Sequence, residues 1–154
     1  MIKIIEGNIL DAPEKIICHQ VNCQGVMGAG LAKQINNKWK ILPNYKNYIK
    51  SNGKERVLGT IQLIAISFDT GQYICNIFGQ YDYGRDKSKI YTDYSALKSA
   101  LTELGDFAIL NKFSIAIPFN IGCGLAGGSR DVVYKIIEEV FHDYDVTLYR
   151  WEVK

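Results

Sequence analysis

The chain has 154 residues, 47% of them apolar, and 18 Lys and Arg against 16 Asp and Glu leave a net charge of +2. That length and apolar fraction suffice for one domain, 1–154, with a real core, and they exclude a disordered chain. The mild charge excludes a strongly basic nucleic-acid carrier, and no apolar run nears the roughly 18 residues of a membrane span.

From the amino end, Ile2–Glu6 reads as a strand with Gly7, Asn8 and Ile9 as its exit. This start has no signal-peptide pattern, so a cytoplasmic location is expected. Asp11-Ala12-Pro13 breaks the chain, and Lys15–Val21 is a second strand ending at Asn22. Cys23-Gln24-Gly25-Val26-Met27-Gly28 then leads into a helix from Ala29 to about Trp39. Pro43 starts a short helix through Lys50, since proline is tolerated in a first turn, and Ser51-Asn52-Gly53 is a turn. Thr60–Ser67 and Tyr73–Phe78 form a hairpin about Asp69-Thr70-Gly71.

Gly79 to Lys89 is polar and tyrosine-rich, which predicts a mobile loop. Thr92 is placed to cap a helix carrying Tyr94, Leu97, Ala100, Leu101 and Leu104. Ser114–Pro118 is a short apolar strand that Pro118 stops. Beyond a glycine-rich turn, Val132, Val133, Ile136, Ile137, Val140 and Phe141 recur at helical spacing. Ser129 is the expected N-cap of that helix and Asp131 suits its dipole. His142, at the far end, is expected at the surface. Val146–Val153 closes the chain as a last strand. The sum is an α/β fold: a sheet of about six strands with helices on both faces.

Seven of the fourteen glycines sit in the two strand-to-helix turns, at Gly25, Gly28, Gly30, Gly122, Gly124, Gly127 and Gly128. Such turns present free backbone N–H groups to an anion, reinforced by the helix dipole. In an open α/β sheet they lie together at the carboxyl edge of the strands, where ligands bind. Neither turn continues as Gly-Lys-Ser/Thr; Gly122 to Gly127 spells G-x-G-x-x-G, which is a weak signal when it stands alone. A phosphate-bearing ligand is implied.

Cys18, Cys23, Cys75 and Cys123 contain no C-x-x-C, so they read as reduced thiols. Cys18, His19 and Cys23 match no common zinc spacing, and no metal or cofactor is expected. Lys33, Lys38, Lys40, Lys46, Lys50, Lys54 and Arg56 meet one acid, Glu55, with Trp39, Tyr45 and Tyr48 between them. A solvated helical face is preferred over a weak nucleic-acid contact.

Three separated stretches, Gly7-Asn8-Ile9, His19 to Ala32 and Pro118 to Gly128, together resemble the macro domain over essentially the whole chain. The resemblance implies a three-layer α/β/α sandwich with a mixed central sheet, acting as a monomer on ADP-ribose. It implies that Gly7, Asn8 and Ile9 meet the adenine, with Asn8 where the family carries an acid. It sets Gln20, Val21 and Asn22 beside the distal ribose. Met27, Gly28, Ala29, Gly30, Leu31 and Ala32 enclose that ribose and the diphosphate. Ile121, Gly122, Cys123, Gly124, Leu125, Ala126 and Gly127 wrap the diphosphate from the other side. Tyr149 matches a position where an aromatic ring stacks on adenine; a plain strand aromatic is the alternative.

Departures from the family narrow the branch. The first loop has no acid, and the nucleophilic lysine and the later aspartate of one hydrolase branch correspond to Gln80 and Ala126. What remains resembles the small phosphatases that convert ADP-ribose-1″-phosphate to ADP-ribose. In that reading His19, titrating near neutrality, is the general acid or base, with Asn22 beside it and Asp131 as its rival. A satisfied core histidine inside an apolar strand is the preferred alternative for His19, and helix capping the alternative for Asp131. An ADP-ribosyl hydrolase acting on protein or nucleic acid, or a non-catalytic ADP-ribose reader, stays open.

Overall fold

The computed structural model describes residues 1–151. Six strands form a single sheet: β1 (Ile2–Glu6), β2 (Ile16–Val21), β3 (Ile61–Ala65), β4 (Tyr73–Phe78), β5 (Ile115–Pro118) and β6 (Val146–Arg150). Their order is β1-β6-β5-β2-β4-β3. All neighbours run parallel except β3, which pairs antiparallel with β4 as the expected hairpin. The expected extension of the last strand to Val153 lies outside the described residues.

Helices cover both faces. On one, α1 (Gly30–Trp39), α2 (Leu42–Asn52) and the single turn α3 (Lys54–Val57) close over Ile17, Val21, Ile74 and Phe78. On the other, α4 (Tyr94–Asn111) and α5 (Arg130–Val140) close over Ile16, Cys18, Cys75, Ile77 and Ile117. The two sets alternate along β2 and β4, as side chains on a strand must. Both faces are therefore apolar, the expected texture of buried parallel strands. The α/β/α sandwich with a mixed six-stranded sheet is the fold expected from the sequence.

Local corrections have local causes. Thr92 does not cap α4; Asp93 does, its side chain accepting from Ala96 N, while the Thr92 hydroxyl is spent elsewhere. Ser129 stands at the N-cap of α5 but makes no capping bond. Helix α2 runs through Ser51 and Asn52, and Gly53 ends it. Lys15 precedes β2 rather than opening it. A 3₁₀ turn at Ile9–Asp11, capped by Asn8, and the turn α3 were not foreseen.

Because β1, β2, β4, β5 and β6 are parallel, the chain leaves every one of them at the same edge of the sheet. The two glycine loops, the 79–93 segment, the Gly7–Asp11 exit and Tyr149–Trp151 thus meet at one place.

Candidate functional site

A cleft of about 830 Å³ opens at that edge. Its walls are Gly28 to Ala32 from the first glycine loop and Gly122 and Gly124 to Ala126 from the second. Asn8, Ile9 and Tyr149 close one end, with His19, Gln20, Val21 and Asn22 from β2 at the floor. Among the described residues the backbone N–H groups of Gly28 to Ala32 and of Gly122 and Gly124 to Ala126 find no acceptor within the chain. Those of Gly30 to Ala32 belong to the first turn of α1, where such groups are unpaired by geometry.

The first loop is braced by buried polar groups. Asn22 Oδ1 accepts from Gln24 N at 2.9 Å, Val26 N at 3.3 Å and the Tyr45 hydroxyl at 2.9 Å. Its Nδ2 donates to Val26 O at 2.8 Å, and the Tyr45 hydroxyl also meets the Asn22 carbonyl. Asn22 was expected on the distal ribose hydroxyls. Its oxygen is instead saturated by the loop it holds, leaving one amide proton for a ligand.

The second loop leans on the 79–93 segment. Thr92 Oγ1 donates to Gly122 O at 2.6 Å, and Tyr91 N and Thr92 N both donate to Ala126 O. Gly127, at φ 74°, would set a Cβ 2.9 Å from Lys89 O, and one on Gly128 would lie 2.5 Å from Gly122 O. Only glycine fits where backbones approach this closely. The same segment also grips the first loop, since Tyr81 O accepts from Cys23 N and Gln24 Nε2. The segment expected as a mobile loop is thus the strap that joins the two glycine loops, and its Tyr83, Gly84 and Arg85 line the cleft.

No carboxylate lines the cleft, and Arg85 is its one charged side chain among the described residues. Arg130 stands behind the wall, hydrogen-bonded to Asn120 Oδ1 and 4.8 Å above the Phe119 ring, with Arg150 at 5.0 Å from the same ring. Such a surface attracts anions.

His19 is 1% exposed, with Nε2 2.5 Å from Asn76 Oδ1 and Nδ1 without a partner. Burial pushes its pKa down from 6.5 to about 4, against the raising effect of the Asn76 bond. The near-neutral titration expected of it is thereby corrected: at pH 7 it is an uncharged imidazole that cannot act as a general acid. Asp131 is exposed on the first turn of α5, outside the cleft lining. Gly7, Met27, Cys123 and Gly127 also stand outside the lining, Met27 buried beneath it. Tyr149 lines the cleft, and its hydroxyl donates to the Glu14 carboxylate at 2.6 Å, which fixes the ring. Asn8 Oδ1 accepts from Leu10 N at 3.0 Å, so one of its lone pairs is already used on the turn that follows. Gln80 and Ala126 both line the cleft, so neither a lysine nor an aspartate occupies those positions.

Phe119, Asn120, Tyr83, Arg85 and Trp151 line the cleft unforeseen. The signal for Tyr83 and Arg85 was present: a tyrosine-rich segment directly after an apolar strand must start at the ligand edge of a parallel sheet. No group of His, Cys, Asp and Glu among the described residues has the arrangement of a metal site. No helix of the described residues is long and apolar enough to cross a membrane.

Solved structures share this arrangement. A protein of unknown function from Bacteroides thetaiotaomicron is 31% identical, with a TM-score of 0.83 over 97% of this chain and 98% of that one. The macrodomain of Thermus aquaticus DarG is 25% identical, with a TM-score of 0.77 and 97% of both chains covered. The chain has the macro-domain fold.

A further match is Thermosipho africanus DarTG in complex with ADP-ribose, at 19% identity and a TM-score of 0.79 over 97% of this chain and 41% of that one. Among curated proteins, the DNA ADP-ribosyl glycohydrolase of Thermus aquaticus is 29% identical over 145 residues. That match takes in 90% of this chain but only 37% of the relative's length. No family model matches the chain.

Proposed function

We propose that this macro domain binds ADP-ribose. The observation that carries the reading is the convergence of two glycine loops, with partnerless N–H groups, on one cleft that no carboxylate of the described residues lines. A diphosphate between the loops satisfies those donors, each charge-assisted bond contributing roughly 1.5–3 kcal/mol. Ile9, Asn8 and the fixed Tyr149 ring supply an apolar end with polar handles, as adenine requires. The distal ribose then lies toward the β2 floor. The ADP-ribose in the Thermosipho complex and the name of the curated Thermus relative support the same ligand class. Calorimetry tests it: ADP-ribose should bind more tightly than AMP, which reaches neither the second phosphate nor the distal ribose. Equal affinities would move the site elsewhere.

A second reading concerns turnover. Removal of the phosphate from ADP-ribose-1″-phosphate is favoured by a cleft lined by Arg85 and, among the described residues, by no carboxylate that would repel a further anion. Hydrolysis of a phosphate ester can rest on positioning and hydrogen-bond donors. Cleavage of an ADP-ribosyl bond by the lysine-type route has no nucleophile here, since Gln80 stands at that position. The assay incubates the protein with ADP-ribose-1″-phosphate, ADP-ribosylated protein and ADP-ribosylated DNA in parallel. Phosphate release from the first alone supports the phosphatase. Release of ADP-ribose from DNA replaces it with the activity in the relative's name, release from protein with a protein-directed ADP-ribosyl hydrolase, and inertness toward all three leaves an ADP-ribose reader.

A further inference from the structure

One row of polar side chains crosses an otherwise apolar layer of the sheet. His19 on β2, Asn76 on β4 and Gln62 on β3 are register partners on three adjacent strands. His19 Nε2 lies 2.5 Å from Asn76 Oδ1, Asn76 Nδ2 donates to Gln62 Oε1 at 3.0 Å, and Gln62 Nε2 donates to Asn44 O at 3.0 Å. Asn76 is fully buried and His19 nearly so.

Taken singly, each amide and the imidazole could be turned either way. The far end of the row removes that freedom, because a backbone carbonyl only accepts. Gln62 must therefore turn its NH₂ toward Asn44 and its oxygen toward Asn76. Asn76 must then turn its NH₂ toward Gln62 and its oxygen toward His19. An acceptor oxygen at 2.5 Å requires an N–H at Nε2. A neutral imidazole has only one N–H, so Nδ1 is left with a bare lone pair. That atom is buried and without a partner, in a residue that lines the cleft. Burial keeps the ring neutral down to about pH 4, so the lone pair is available at physiological pH. Buried acceptors are rarely left unpaired, so a donor from outside the chain is called for.

We propose that Gln62 and Asn76 are positioning residues that hold His19 as its Nε2–H tautomer, so that Nδ1 accepts a hydrogen bond from a hydroxyl of the distal ribose. The ligand half of this inference rests on the ADP-ribose reading above; the tautomer half rests on the row alone.

The chain has two histidines, and His142 is exposed. Nitrogen-15 spectra of histidine-labelled protein, assigned with a His142→Gln variant, therefore read His19 directly. Free protein at pH 7 should show Nε2 protonated and Nδ1 bare. Saturating ADP-ribose should shift the Nδ1 resonance, and AMP should not. Gln62→Leu, at a half-buried position, should let the Nδ1–H tautomer appear, and Asn76→Leu should do so more fully. A free protein with Nδ1–H, a tautomer unchanged in Gln62→Leu, or an Nδ1 resonance indifferent to bound ADP-ribose would each overturn the proposal. If ADP-ribose does not bind, the function proposed above fails and takes the ligand half with it, while the tautomer is still decided by the free protein's spectrum.

Discussion

The two glycine loops face one another across the same cleft and are held in opposite ways. The first is braced from within, by an Asn22 amide with every oxygen lone pair used and by the Tyr45 hydroxyl, both in the core. The second is braced from outside, by Thr92, Tyr91 and the strap that carries them, and its Leu125 is 53% exposed. Internal bracing means the first loop's shape is set before any ligand arrives. The second shares the freedom of the segment it leans on, because exposed backbone with few buried contacts opens first. A preformed socket faces an adjustable clamp.

The largest expected effect tests whether both loops touch the diphosphate. A Cβ on Gly124 meets nothing within 4 Å, so Gly124→Glu folds and sets a carboxylate where the diphosphate lies. ADP-ribose affinity should fall by about 100-fold, the loss of two charge-assisted bonds, at an unchanged melting temperature. Gly28→Glu is the same change in the socket, where the built Cβ has ordinary contact only. Calorimetry that finds one variant at full affinity removes that loop from the site.

The next concerns the floor under the socket. The folded pKa of His19 lies at about 4 and the unfolded one near 6.5. Above about pH 6.5 neither state binds this proton and the group has no effect on stability. Between there and about pH 4 the unfolded chain takes up a proton that the folded one refuses, so stability falls as pH falls, by roughly 3 kcal/mol in all. Urea unfolding across this range should show the slope in wild type and a flatter one in His19→Gln. Parallel curves would mean that another group carries it.

Tyr45→Phe separates the two loops' bracing. It removes the hydroxyl proton shared between the Asn22 carbonyl and Oδ1. Oδ1 keeps Gln24 N and Val26 N, but the buried Asn22 carbonyl loses its donor, which costs about 1–3 kcal/mol of stability in a urea titration. Thr92→Val removes the clamp's bond to the Gly122 carbonyl and the bond accepted from Gln20 Nε2, at about 1 kcal/mol each. Its mark should be a faster release of ADP-ribose in stopped flow, out of proportion to its lost stability. The reverse ranking of these two variants would exchange socket and clamp.

The smallest effect is expected at the basic face of α1, α2 and α3. Lys33, Lys38, Lys40, Lys46, Lys50, Lys54 and Arg56 are all exposed there. The interleaved aromatics point inward, with Tyr45 buried and Trp39 and Tyr48 packed on the core. No ring is left free for base stacking, so a DNA oligomer should show no binding at low salt. Steeply salt-dependent binding would reverse that conclusion.

Much of the cleft could be read from the chain because glycine at a strand-to-helix turn means the same thing wherever the turn lies. The loops of Gly28–Ala32 and Gly122–Ala126 were visible for that reason. Arg85 and Tyr83 were passed over: the segment's start at the ligand edge could be inferred from the apolar strand before it, but not that it is pinned at Tyr81 and Thr92 across the cleft. His19 was seen as an ionisable group beside a ligand loop, but its charge depends on neighbours from β4 and β3, far along the chain. Thr92 was taken for a helix cap on the strength of its type, and its hydroxyl went to Gly122, 30 residues away in sequence.

By itself, then, the sequence determined the alternation of strands and helices, the apolar faces of both layers and the two anion-receiving turns, since each depends on residues close together in the chain. Only the tertiary structure decided which loop is braced from within, that Arg85 stands at the cleft, and that the buried imidazole is neutral with its lone pair exposed to no partner. Those properties come from hydrogen bonds and burial between strands that are distant in sequence, and the sequence order of the strands does not reveal which become neighbours in the sheet.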